Sequence, residues 1–101
     1  MEIVKMFKKP TSKLIIFKLT LSDDCSIVKA SLEGDFFAYR PELVDESIDS
    51  LKGLKPDALL AEELHKKLMR SFIIGVEELD LLAFLKEVFE ESREKCAKSL
   101  K

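Results

Sequence analysis

At 101 residues the chain is about one domain long, enough to bury roughly 60–70% of its unfolded surface in one modest core and too short for a second catalytic domain. Hydrophobic residues make up 47% and charged residues 36%, against about 25% charged in an ordinary soluble domain; such a chain builds a core coated with ions and is not globally disordered. The net charge of −2 opposes what a phosphate-neutralising nucleic-acid binder needs, no apolar run approaches the roughly 20 residues of a bilayer span, and the N-terminus lacks a secretory pattern, so a cytoplasmic protein is expected.

Charge is unevenly spread. Residues 1–20 hold five lysines (Lys5, Lys8, Lys9, Lys13, Lys18) against Glu2, a net of +4, and the remainder carries −6. There is no Asn, Gln or Trp, and missing amides with abundant Lys and Glu match the bias of thermophile proteins. Cys25 and Cys96 lie 71 residues apart without framework spacing and are read as reduced thiols. A zinc site would need both of them with His65 and a carboxylate, and no CxxC or HxxxH spacing suggests one.

In chain order, residues 2–7 form a short Lys-interrupted strand closed by Pro10. In residues 13–21, Ile15, Phe17, Leu19 and Leu21 recur at period 2 and predict a strand. The turn residues 22–26 lead into Val28, Ala30 and Leu32, alternating with polar neighbours, so an antiparallel hairpin is expected. Leu14 and Ile16 point to the face that should be wet, which calls for something to cover them. After Gly34 the period becomes about 3.6. Pro41 and Glu42 suit a helix start, Val44, Ile48 and Leu51 make its stripe, and Gly53 stops it.

Pro56 and Asp57 open a second helix, with Leu60, Leu64 and Leu68 inward and His65 on its flank, half in water. Residues 72–74 form a short extended or buried run closed by Gly75. Glu77 and Glu78 start a third helix with Leu81, Leu82, Leu85, Val88 and Phe89 inward, and after Glu90 the core contribution is expected to fade into a charged extension over residues 91–101. The expected fold is a single α+β domain, core about residues 10–90: a small N-terminal antiparallel sheet of about three strands with about three helices on one face.

No catalytic residue is assigned. There is no phosphate-cradling glycine loop, GxSxG elbow or HExxH motif, and Cys25 with His65 is the sole nucleophile and base combination, with nothing to recommend it. The chain is therefore expected to be inert by itself, with no metal or cofactor of its own. The informative stretch is residues 34–42, Gly-Asp-Phe-Phe-Ala-Tyr-Arg-Pro-Glu, where three of eight aromatic residues fall within four positions at a strand-to-helix junction. It reads either as an aromatic plug on the core or as a partner-facing anchor, because Phe, Tyr and Arg suit binding hot spots. Successive residues of an extended segment cannot all point inward, so at least one of Phe36 and Phe37 is expected outside the core.

The Gly-Asp-Phe-Phe stretch with Pro41-Glu42, followed by Ile73-Ile74-Gly75-Val76 and Asp80-Leu81, resembles the C-terminal accessory domain of lipoate-protein ligases. The resemblance covers about residues 10–90, and with a start methionine and a free C-terminus the separate small subunit of a bipartite, archaeal-type ligase is expected. It departs from the family at Thr11-Ser12, where glycines are usual, and at Glu77-Glu78, where Ser and Pro are usual. The resemblance implies a heterodimer whose catalytic large subunit binds ATP, Mg and lipoate. In that heterodimer the small subunit is required to make lipoyl-adenylate before transfer to a lipoyl-domain acceptor protein. The candidate interface residues are Phe36, Phe37 and Tyr39 as anchors with Asp35 and Arg40 as orienting polar groups, and Lys13 from the basic N-terminal section. Two alternatives are an iron–sulfur-scaffold-like protein, for which two cysteines are too few, and an interaction module unrelated to lipoylation. Lys8, Lys9 and Lys13 are expected either to steer an acidic partner surface or to guard an exposed strand edge.

Overall fold

The computed structural model describes residues 1–71 and 73–99. Along the chain run β1 (Glu2–Phe7), β2 (Ile15–Leu21), β3 (Ile27–Gly34), β4 (Phe37–Ala38), α1 (Pro41–Asp49), α2 (Ala58–Met69), β5 (Ile73–Ile74) and α3 (Glu78–Ser99). The first three strands form an antiparallel sheet in the order β1-β2-β3, and β4 pairs with β5 in a separate two-stranded piece. The expected α+β architecture, with an N-terminal sheet and three helices, is the one observed.

β2 is the centre of the sheet because its period-2 pattern gives it one wholly apolar face: Ile15, Phe17, Leu19 and Leu21 are buried. The helices cover that face. The ring of Phe17 meets Phe89 of α3 edge-on at 5.8 Å, an arrangement favoured by the ring quadrupoles. α2 packs on α3 and α1, and Asp57 starts it by accepting the Leu60 amide at 2.7 Å, which satisfies an otherwise orphaned helix donor. Leu51 lies beyond the end of α1, yet it is buried as its place in the stripe demanded. No helix among the described residues is long and apolar enough to cross a membrane.

Four sequence expectations are corrected. A register irregularity at Thr20/Leu21 puts Ile27, not Val28, opposite Leu21. Ile27 is therefore buried and Val28 is 53% exposed, because an extra residue reverses which side chains face the core. His65 is buried, not half in water; its Nε2 lies 2.9 Å from the Glu78 carbonyl. A carbonyl only accepts, so that nitrogen carries the proton and ties α2 to the start of α3. The core does not fade after Glu90, since Ser92 and Cys96 are buried on the stripe that holds Leu85, Val88 and Phe89. Finally, Cys25 and Cys96 are not separate thiols but a disulfide. Phe72 lies outside the described residues.

The hairpin turn that carries Cys25 is set by local chemistry. Cys25 sits at φ 66, a left-handed conformation uncommon for a side-chain-bearing residue. The turn is held by the Ser22 and Cys25 amides donating to Ser26 and Ser22 carbonyls at 2.9 Å, and by the Asp24 carboxylate, which accepts from the Ser22 hydroxyl and the Ser26 amide. Those donors hold the Asp24 carboxyl down at about 2.

The basic start of the chain folds against acidic α3. Lys5 contacts Glu91 at 2.8 Å and Glu87 at 3.7 Å, and Lys9 contacts Asp80 at 2.9 Å. Hydrogen bonds from Lys5 and then Lys95 hold the Glu91 carboxyl at about 2, below its ordinary 4.5, while Glu91 raises the Lys5 ammonium above 10.5. Because the Glu91 value is depressed on folding, its contribution is complete above pH 4.5 and disappears as pH falls toward 2. The raised Lys5 value makes its contribution complete below pH 10.5 and lost above it. Acid titration of the melting temperature should therefore show a loss between pH 4.5 and 2 that is smaller in Glu91→Gln; identical curves would rule the pair out as a contributor.

Candidate functional site

Gly34 ends β3 at φ 145, and a Cβ there would run into the Leu14 carbonyl. Glycine lets the chain pass this close, so the Asp35 amide donates to the Leu14 oxygen at 3.0 Å. On the other side, the Lys13 amide donates to the Gly75 carbonyl at 2.8 Å. Gly75 has φ 107, and the Lys13 side chain occupies the space a Cβ would need. Residues 13–14 thus lie between Gly34-Asp35 and Gly75, joining segments far apart in sequence.

Beyond Gly34 the chain is extended, and β4 pairs antiparallel with β5 with Phe37 opposite Ile74 and Ala38 opposite Ile73. Alternation then sorts the side chains. Phe36 and Ala38 pack on the core together with Ile73, whereas Phe37 is 62%, Tyr39 69% and Ile74 46% exposed. The Phe37 and Tyr39 rings meet edge-on at 5.8 Å, which stiffens the pair while leaving its outer surfaces in water. The expectation that one of the two phenylalanines lies outside the core is met by Phe37.

The candidate residues therefore divide. Lys13, Asp35, Phe37 and Tyr39 are all exposed, with Phe37 and Tyr39 in ring contact, and Phe36 serves the core. Arg40 gives its amide to the Ser71 carbonyl at 3.2 Å, and its Nε lies 3.5 Å from Glu42, so it is anchored at the start of α1. Leu14 and Ile16 are half-buried. Ile74 is not among the candidate site residues read from the sequence, although it lies in the Ile73-Ile74-Gly75-Val76 motif; pairing with β4 places it opposite Phe37. Of the three lysines expected to steer a partner, Lys9 is bound to Asp80, and the Lys8 ammonium donates to the Ser12 carbonyl at 2.9 Å.

A shallow cleft of ≈ 250 Å³ between α1 and α2 is lined by Leu43, Glu46, Ser47, Lys67 and Arg70. Two other surface depressions, one beside Val44 and Ile48 and one lined by Thr11, Ser12, Gly75, Val76, Glu77 and Asp80, measure ≈ 340 and ≈ 330 Å³, at the low end of the roughly 300–1,000 Å³ usual for small-molecule sites. The disulfide occupies both cysteine sulfurs, leaving neither as a thiolate for a metal or cluster. The class of protein that fold and surface define is a small α+β domain with an exposed aromatic and aliphatic surface at a strand-to-helix junction. No protein-family model, curated protein or solved structure matches the chain.

Proposed function

We propose that the chain is a non-catalytic accessory subunit of a lipoate-protein ligase, acting as a cytoplasmic heterodimer with the large subunit that holds ATP, Mg and lipoate. The observation that supports this reading is the pairing of β4 with β5. The two segments that carry the resemblance lie side by side, and their outward residues Phe37, Tyr39 and Ile74 form one apolar surface. Clustered exposed aromatics of this kind mark association surfaces. A disulfide is compatible with a cytoplasmic setting in hyperthermophiles, whose intracellular proteins are rich in them.

A subunit without reacting groups raises a rate by stabilising a partner conformation that aligns the reactants, worth several kcal/mol. Adenylate formation by the large subunit should therefore collapse without this chain, while transfer from preformed lipoyl-adenylate persists. Equal loss of both steps, or pyrophosphate release by this chain alone, would refute the reading. At the surface, Phe37→Ala should weaken partner binding by about thirtyfold, corresponding to about 2 kcal/mol, with the melting temperature nearly unchanged. Phe36→Ala should instead lower the melting temperature through lost core packing. Calorimetric titration and thermal melts of both variants separate the two effects; full affinity in Phe37→Ala moves the interface elsewhere.

A further inference from the structure

Among the described residues, β1 lies at the edge of the sheet and is bonded on one side only, to β2. Its bonding phase is readable from its first residue, because Met1 and Leu21 exchange both main-chain bonds, at 3.1 and 2.8 Å. In an antiparallel ladder such bonded pairs alternate with non-bonded ones. The register then makes Ile3 with Leu19, Lys5 with Phe17 and Phe7 with Ile15 the bonded pairs. The amides and carbonyls of Glu2, Val4 and Met6 consequently point off the free edge.

Nothing charged guards the centre of that edge. Lys5, whose side chain would serve, is drawn to Glu91 and Glu87 of α3, and Val4 and Met6 are 49% and 68% exposed on the outer face. Exposed edge strands ordinarily carry charges, bulges or prolines that prevent pairing, and residues 2–7 contain no proline.

We propose that β1 pairs with β1 of a second copy of this chain, antiparallel about a two-fold axis at Val4, to make one six-stranded sheet. The strand selects this register by itself. Centred on Val4, the outward groups of Glu2, Val4 and Met6 all find partners, with Glu2 opposite Met6 of the other copy. Shifting the axis to Lys5 sets two lysines directly opposite, which is unfavourable, and shifting it to Ile3 leaves Met6 unpaired. In the chosen register Glu2 lies diagonal to Lys8 of the other copy, within reach of a long side chain, and this opposite-charge contact occurs twice by symmetry. The edge uses none of the residues of the β4–β5 surface, so self-pairing and binding of a different subunit are compatible.

Sedimentation equilibrium of the full chain over a concentration series tests this. The wild type should form a dimer whose fraction rises with concentration. Val4→Pro removes an amide that the β1–β2 ladder does not use, so the fold should survive, and self-association should weaken by at least about tenfold. Met6→Glu, at an exposed position, sets a second carboxylate against Glu2 and should weaken it as well. A wild type that stays monomeric throughout, or a dimer that both folded variants retain, would overturn the proposal. A dimer lost in Phe37→Ala but kept in Val4→Pro would place self-association at the other surface and equally overturn it.

Discussion

Reducing the Cys25–Cys96 bond, or replacing both cysteines with alanine, should lower stability by roughly 4 kcal/mol, the chain-entropy value for a cross-link of this span. The bond joins residues 71 apart in sequence, so the unfolded chain it constrains is most of the molecule. For a domain of this size the loss corresponds to a melting temperature lower by roughly 15–30 °C. The structural consequence should be local as well. Among the described residues, the last turns of α3 reach the core through Ser92 and Cys96, two small side chains, while Arg93, Glu94 and Lys95 remain in water. Without the covalent link to the hairpin turn, those turns should exchange their amide hydrogens faster than the helix around Leu85 and Phe89. Equal melting temperatures with and without a reductant, under conditions where free thiols are titrated quantitatively, would show that the link contributes nothing.

Gly34→Ala should be the most damaging of the three glycine-to-alanine changes. At φ 145 an L-residue is strained, a cost of about 1–3 kcal/mol. The added carbon also meets the Leu14 carbonyl, which is backbone and unable to rotate away. Relief requires β2 and β3 to separate where the Asp35 amide binds Leu14, with a further loss of about 1 kcal/mol for that bond. Gly75→Ala provides the internal control. It is strained too, at φ 107, but its added carbon meets Cγ and Cβ of Lys13 rather than a carbonyl, so rotation of that side chain relieves part of the overlap although Cβ stays in place. Thermal melts should therefore rank wild type above Gly75→Ala and Gly75→Ala above Gly34→Ala. The Gly34 variant should also weaken partner binding, because Phe37 and Tyr39 take their direction from this turn. Near-wild-type stability in Gly34→Ala would mean that the close approach of Leu14 is not a constraint.

The two glycines also show how far a motif is legible before folding. Gly34 and Gly75 stood out in the sequence as the ends of runs, and the aromatic cluster between Phe36 and Tyr39 stood out by composition. Their adjacency did not, since it depends on β4 and β5, two residues each, and strands this short carry no periodic signal. The outward side of the cluster followed from alternation alone once the segment was extended, which is why Phe37 and Phe36 could be separated in principle but not assigned.

His65 and the cysteines were misread for a common reason. Whether a side chain one step off an apolar stripe is wet depends on the neighbouring helix, and the Glu78 carbonyl that accepts the His65 N–H is 13 residues away. Sequence separation says nothing about the distance between Cys25 and Cys96, because loop closure costs only slowly more as a loop lengthens. The fading of the core after Glu90 was inferred from charge. Ser92 and Cys96 continue the stripe without looking hydrophobic enough to reveal it.

By itself the sequence determined the longer elements and most of their inward faces: the strict alternation of β2, the stripes of α1 and α2, the Asp57 start of α2 and the turn chemistry of residues 22–26; in α3 the stripe was right except that Phe84, not Leu82, is buried. These are legible because side-chain direction within one element follows from backbone geometry and from neighbours a few residues away. Only the tertiary structure decided the shift from Val28 to Ile27, the disulfide, the pairing of Lys5 and Lys9 with acidic residues of α3, and the placing of Phe37 opposite Ile74 across β4 and β5. Each of these depends on which distant groups the packed core brings within a few ångströms, a choice made by the summed burial of many side chains and recorded in no local pattern.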